Sequence, residues 1–327
     1  MQFMLPFKFS GPDKKIAHHE KLMLIGSCFS QEIGNKLQYY KWQIFQNPTG
    51  IIYNAVSIRD ALQWILSGSD LNEQDLYFQD GIWSSFAHHT SFAGVDKTEV
   101  LKRINESRRS ALVFSKSADW IIITPASSFI YKLRSTGKVV SNCNKAPATL
   151  FEKKLLSVEE NKEALEQTLH LLKQHNPSIK IMFTVSPVKH YSDGIAENNI
   201  SKANIFSALY KVLQTHKESY YFPAFEIIND ELRDYRFYKN DFSHPNEMAI
   251  NYVFEKFINS CTEQSTQILL KKIEAILRSC EHKPFNPASK AHIQFVSDVI
   301  NQINQVVSEQ PYIDFSNELS GLQLHLP

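Results

Sequence analysis

The 327 residues carry 35 Lys and Arg against 34 Asp and Glu, a formal charge of +1, with 43% hydrophobic and 12% aromatic residues. A chain of this length buries a large core, and its balanced charge provides no general field for nucleic acid or an acidic membrane surface. No apolar run reaches membrane-spanning length, and thirteen Pro with ten Gly are too few for a low-complexity linker.

Residues 1–20 read as a lead-in with a turn at Ser10-Gly11-Pro12-Asp13. The stretch Met1 to Phe9 has neither a basic region nor a small-residue cleavage site, so the cytoplasm is the expected compartment. The four cysteines, Cys28, Cys143, Cys261 and Cys280, show no metal-binding spacing and are expected to be reduced.

Leu22-Met23-Leu24-Ile25 is a buried-strand pattern that runs into Gly26-Ser27-Cys28, and a helical pattern follows at once. A strand, a tight glycine turn and a helix start place the Ser27 hydroxyl at a strand's carboxyl end, where open α/β sheets bind ligands. The helix N-terminus there also directs free backbone N–H groups at any developing oxyanion. Ser27 as a simple helix cap is the competing reading. Cys28 is expected to face the helix packing as a small core residue.

Gln43-Ile44-Phe45 reads as a second strand, ended by the loop signal Asn47-Pro48-Thr49-Gly50, and Ser57 begins a helix. Residues 70–94 are aromatic and loop-like. His88-His89 lies in this stretch without a third ligand at metal spacing, so no metal site is expected. Asp96 starts a helix to about Ser115, and Asp119 to Thr124 is a buried strand. Phe129–Leu133 and Lys138–Val140 form a hairpin around Ser135-Thr136-Gly137. Ser157 opens a long amphipathic helix, and Ile179 to Val185 is the next strand. A helix over about Asn199–His216 and a short strand at Tyr220–Phe222 follow. This alternation predicts an α/β fold with three α/β/α layers and a mostly parallel, doubly wound sheet over about residues 1–260. Beyond 260, two apolar helical stripes broken at Pro284-Phe285-Asn286-Pro287 predict a C-terminal helical extension, 261–327, packed on the domain and extended from Gln310.

In Asp241-Phe242-Ser243-His244-Pro245-Asn246-Glu247, Pro245 suits the first helical position, which puts His244 at the N-cap. Asp three residues before His can bring a carboxylate to one ring nitrogen and leave the other free to take a proton. Helix capping by a solvated His is the competing reading.

Together, Gly26-Ser27 and Asp241-x-x-His244 resemble the SGNH (GDSL-like) hydrolase superfamily, whose fold is flavodoxin-like. The chain resembles more closely its GSCFA branch, which is bacterial. That closer resemblance rests on Gly26-Ser27-Cys28-Phe29-Ser30, Asn47-Pro48-Thr49-Gly50-Ile51-Ile52-Tyr53-Asn54, Val140-Ser141-Asn142-Cys143 and Ser186-Pro187-Val188-Lys189-His190. It continues through Asn199-Ile200-Ser201-Lys202, Asp230 to Tyr238, and Asp241-x-x-His244-Pro245.

The resemblance implies a serine ester hydrolase without a cofactor, with Ser27 as nucleophile, His244 as general base and then acid, and Asp241 as its orienter. It implies oxyanion donors at the Ser27 N–H, at Gly50, and at an Asn for which Asn142 is the candidate. His190 is expected to line the substrate pocket. The substrate class implied is a short-acyl ester of a carbohydrate-like or small polar alcohol, with no nucleic-acid or membrane partner. Two segments depart from the family pattern: Pro125-Ala126-Ser127-Ser128-Phe129 stands where the family has Gly-Thr-Ala-Trp, and Asn144 replaces a His. Pro125 has no N–H to donate. This favours the alternative expectation, a binding module that keeps the fold without the chemistry.

Overall fold

The computed structural model describes residues 5 and 7–323. The chain runs β1 (Leu22–Gly26), α1 (Cys28–Tyr39), β2 (Ile44–Gln46), α2 (Ala55–Ser67), β3 (Tyr77–Gln79), β4 (Ile82–Ser84), α3 (Lys97–Ser117) and β5 (Trp120–Thr124). It continues through β6 (Phe129–Leu133), β7 (Val139–Val140), β8 (Phe151–Leu155), α4 (Val158–His175), β9 (Lys180–Phe183), α5 (Ile195–Thr215) and β10 (Tyr220–Tyr221). The remaining helices are α6 (Ala224–Glu226), α7 (Glu247–Cys261), α8 (Gln264–Cys280), α9 (Lys290–Glu309) and α10 (Ser316–Gln323).

Five strands form the central sheet in the order β10-β9-β5-β1-β2, and every pairing is parallel. In β1, side chains alternate between faces although every residue is buried. Met23 and Ile25 join the core under α2, α4 and α5, with Ile121, Ile181 and Phe183 beside them. Leu22 and Leu24 join the opposite core, with Phe29, Ile33 and Leu37 of α1 and Val253 and Phe257 of α7. The expected α/β/α architecture is therefore present, with β1 in the interior of the sheet. Burying each such Leu or Ile is worth roughly 1.5–3 kcal/mol, which fixes the strand's register.

Several local expectations are corrected. Residues 70–94 contain a β3–β4 hairpin turning on Asp80 (φ 51°) and Gly81 (φ 78°). The β6–β7 hairpin gains a third strand, β8, on its other edge. Helix α7 begins after Asn246, whose side chain accepts the Ala249 N–H at 3.1 Å, so His244 is not the cap and Pro245 precedes the helix. Asn is the better cap, and Pro245 instead bridges Tyr238. The segment after Gln310 is not wholly extended, because α10 folds back with Phe315 and Leu322 buried against α8 and α9.

Helices α8–α10 share their own apolar cluster. They dock near the end of α1 through the Lys41–Glu318 ion pair at 2.7 Å and a His18 Nδ1–Tyr312 hydroxyl bond of 3.1 Å. Among the described residues, no helix is long and apolar enough to cross a membrane.

Gly26 ends β1 at φ 143°, and a Cβ there would lie 2.3 Å from the Thr124 carbonyl oxygen. Only glycine lets the chain leave the strand so close to β5. Gly26→Ala is therefore expected to cost about 1–3 kcal/mol of stability and to shift the turn, as read by chemical denaturation. An unchanged unfolding midpoint would refute the constraint.

Candidate active site

The site lies at the carboxyl end of β1, where Gly26 hands over to α1. Ser27 occupies the N-cap position, yet its side chain makes no capping hydrogen bond. The Ser27 residue is 0% exposed, and its Oγ has no hydrogen-bond partner. Its main chain holds the turn instead: the Ser27 N–H donates to the Thr124 carbonyl at 3.1 Å, and its carbonyl accepts the Gln31 N–H at 3.3 Å. The first-turn amides of α1, which have no intrahelical acceptor, are thus left uncapped by Ser27.

Asp241 and His244 form the expected pair. Asp241 Oδ2 lies 2.7 Å from His244 Nδ1, while Oδ1 accepts the backbone N–H groups of Ser243 and His244 at 2.9 Å each. Those amides, and then the imidazole, hold the Asp241 carboxyl down at about 2. Nδ1 is occupied by the carboxylate, which leaves Nε2 as the nitrogen available for proton transfer. The loop carrying the pair is closed by the Lys239 N–H bonding the His244 carbonyl at 2.7 Å. It is tied to the loop after β9 by the Lys189 N–H bonding the Ser243 carbonyl at 3.1 Å.

His244 lines a small cavity of about 20 Å³ with Cys28, Phe29, Glu32, Val188, Lys239, Pro245 and Ile250. The side chain that the 26–28 turn presents to this cavity is Cys28, which is half-buried, and Ser27 is not among its lining residues. The expected Ser27–His244 hydrogen bond is absent, because the serine points into the packed interior. Cys28 was expected in the core; it packs against the core cluster of α1 and α7 and also lines this cavity. The helical phase of α1 explains this. Phe29, Ile33 and Leu37 form the buried stripe, so Cys28, with Glu32 one turn on, falls at its edge, touching both the core and the cavity.

The remaining expected residues divide. His190 stands beside the dyad: its ring meets Tyr53 edge-on at 5.2 Å. Burial, with Lys202 and His244 also opposing its charge, pushes its pKa down to about 4, against a smaller opposing pull from Asp193. Gly50 is a correction. Its N–H donates to the Asn47 carbonyl at 2.7 Å within a tight turn, so that amide is not free for an oxyanion. Asn142 lies in the β7–β8 connection, where its Oδ1 accepts the Asn144 N–H at 2.8 Å, and it does not line the cavity.

The atypical Pro125–Phe129 segment is structural. The amides of Ala126 and Ser127 both donate to the Tyr53 carbonyl, at 2.7 and 3.0 Å, and the Pro125 carbonyl accepts from Ser186. Ser127 and Ser128 then bond Ser201 of α5.

Two residues that carried no expected role complete the site. Lys202 is 3% exposed on the buried stripe of α5 and donates to the Ser186 carbonyl at 2.6 Å. Burial, and then Lys189, push its pKa down to about 7, while the Cys28 thiol raises it. Tyr53 is pushed up to about 12 by burial, with the Cys28 thiol a smaller contribution. The signal for Lys202 was a lysine at a helical position between Asn198 and Ile205, both buried. Among the described residues, no group of three or more His, Cys, Asp or Glu side chains is arranged to hold a metal ion.

Comparison with protein families matches residues 21–257 to the GSCFA family and residues 273–326 to the C-terminal domain of GSCFA domain proteins. A search of curated protein sequences returns no match. Among solved structures, a candidate GDSL-like lipase from Parabacteroides merdae aligns with a TM-score of 0.40 at 11% identity, over 76% of this chain and 99% of that one. A carbohydrate esterase family 3 protein from Talaromyces cellulolyticus gives 0.34 at 9% identity, over 78% and 99%. An acetyl xylan esterase from the rumen bacterium Butyrivibrio proteoclasticus gives 0.39 at 10% identity, over 75% of this chain and 64% of that one.

Proposed function

The chain belongs to the GSCFA family, and on that premise we propose that it is an ester hydrolase working by acyl transfer through a covalent intermediate. The observation that carries this reading is the Asp241–His244 pair at 2.7 Å, opening on the same cavity as the turn between β1 and α1. His244 Nε2 takes the proton of a nucleophile on that turn and returns it to the leaving alcohol. Asp241 fixes the tautomer and stabilises the imidazolium. The uncapped amides at the start of α1 face the developing oxyanion. The cavity is small, which favours the shortest acyl groups, and the polar groups among its lining residues, Glu32 and Lys239, suit a polar alcohol of carbohydrate type.

Because Gly50 and the 126–127 amides are engaged elsewhere, the oxyanion hole depends on α1 and not on Asn142. Losing a genuine donor typically costs on the order of 10²–10³ in rate. Asn142→Ala is therefore expected to leave kcat on p-nitrophenyl acetate within about threefold of wild type. A drop of about a hundredfold would restore Asn142 to the hole. The hydrolase reading is tested by wild-type turnover of a panel of short-chain p-nitrophenyl and acetylated sugar esters. Turnover above the buffer rate is expected with acyl groups of two to four carbons. No turnover on any of them would leave the binding-module reading in its place.

A further inference from the structure

We propose that the nucleophile of this site is the Cys28 thiol and not the Ser27 hydroxyl, so that the acyl group passes through a thioester. This rests on the hydrolase reading above and specifies its covalent step.

Three observations converge. Cys28, half-buried, lines the cavity that His244 also lines, whereas Ser27 is wholly buried with an Oγ that bonds nothing. The sulfur sits at the start of the 12-residue α1, where its own backbone N–H and that of Phe29 favour a thiolate. The buried Lys202 amine lies near it and acts in the same sense. Burial acts against these, together with the Glu32 carboxylate, and prevails: the thiol's pKa is raised. The resting group is therefore a protonated thiol that needs a base, and the His244–Asp241 pair beside the same cavity can supply one.

The step balances without any further reactant. His244 Nε2 accepts the S–H proton while Sγ bonds the acyl carbon, and the carbonyl electron pair moves onto oxygen. Collapse of that intermediate breaks the ester C–O bond, and the leaving alkoxide takes the proton from His244. Water then gives a proton to His244 as its oxygen bonds the acyl carbon. Sγ leaves and recovers the proton, releasing the carboxylic acid. Ser27 contributes its small size and its main-chain bonds to the turn.

The test is acid-quench mass spectrometry with p-nitrophenyl acetate, followed by digestion and fragment sequencing. Acetyl on Cys28 is expected, in wild type and in Ser27→Ala alike, and neutral hydroxylamine should remove it as it does a thioester. Cys28→Ala should lower kcat/KM by at least about a thousandfold, and Cys28→Ser controls for folding. Acetyl on Ser27, or a Cys28→Ala enzyme within threefold of wild type, overturns the inference and leaves the hydrolase reading standing.

Iodoacetamide labelling gives a readout independent of ester turnover, with the half-buried Cys143 as internal reference. Cys28 should react at least tenfold faster than Cys143 near neutral pH, and His244→Ala should remove that advantage. Equal rates overturn the inference even if every ester is refused. The expected difference supports the thiol–imidazole pair even then.

Discussion

Replacing His244 by Ala is expected to lower kcat/KM by about 10³–10⁴-fold, with little change in stability. General-base catalysis by a positioned side chain contributes typically 10²–10⁴, and in the proposed mechanism the same ring also protonates the leaving group. At about 1.4 kcal/mol per factor of ten, the expected loss is about 4–5.5 kcal/mol of transition-state stabilisation. The fold should tolerate the change. The ring's hydrogen bond is to Asp241, both side chains are 40–50% exposed (41% and 50%), and an exposed pair of this kind is worth roughly 0–1 kcal/mol. Asp241→Asn should have a related but smaller effect, because an amide can still accept the Ser243 and His244 N–H groups while failing to hold the imidazole tautomer. Asp241 stays ionised down to about 2, so its own protonation should not shape kcat/KM over the assay range. The checks are steady-state kinetics with both variants and a thermal melt of each. An unfolded variant, or activity within tenfold of wild type, would count against the assigned role.

The second large effect is on stability. His18 and His88 are both nearly inaccessible, 3% and 1% exposed. Burial pushes His18 down to about 4, against a smaller opposing pull from the Tyr40 carbonyl, and pushes His88 down to about 3. His18 is fixed by that carbonyl at 2.9 Å and stacks on Trp42 at 4.5 Å. His88 is enclosed by the rings of Trp64 and Phe92.

Both lowered values lie below the ordinary 6.5. Between those limits the unfolded chain therefore binds more protons than the folded one, and stability falls as pH falls. At 1.36 kcal/mol per pH unit, acidification from neutrality to pH 5 should cost about 2 kcal/mol for each histidine, roughly 4 kcal/mol together. Urea denaturation at about pH 7 and pH 5 measures this, and His88→Asn should remove about half of the pH dependence. A free energy flat to within 1 kcal/mol across that range would show that the two rings find proton acceptors on acidification.

Much of this was legible in the sequence wherever a single physical demand dominated. The β1 run and the β5 run Trp120–Thr124 are apolar throughout because the central parallel strands are covered on both faces. Gly26 is required by a close backbone approach, and Asp241-x-x-His244 forms its bond within one local turn. What escaped was set by competition. Strand β8 carries Glu152-Lys153-Lys154, a charged outer edge that hides its period. The β3–β4 hairpin had an Asp80-Gly81 turn signal, but short aromatic strands around it read as loop. Asn246 outcompeted His244 for the α7 cap. At the turn between β1 and α1, a one-residue difference in helical phase decided which side chain lines the cavity, and the phase is set by packing of Phe29, Ile33 and Leu37 against the sheet. The family resemblance pointed to a turn; which atom it offers was a matter of three-dimensional packing.

The most direct test of covalent acyl transfer driven by the Asp241–His244 pair is the intact mass of the enzyme, acid-quenched during turnover of p-nitrophenyl acetate. The expected result is a wild-type species heavier by one acetyl group, formed within the first turnover and absent from His244→Ala. Turnover with no adduct at any quench time, at a rate indifferent to His244→Ala, would contradict it.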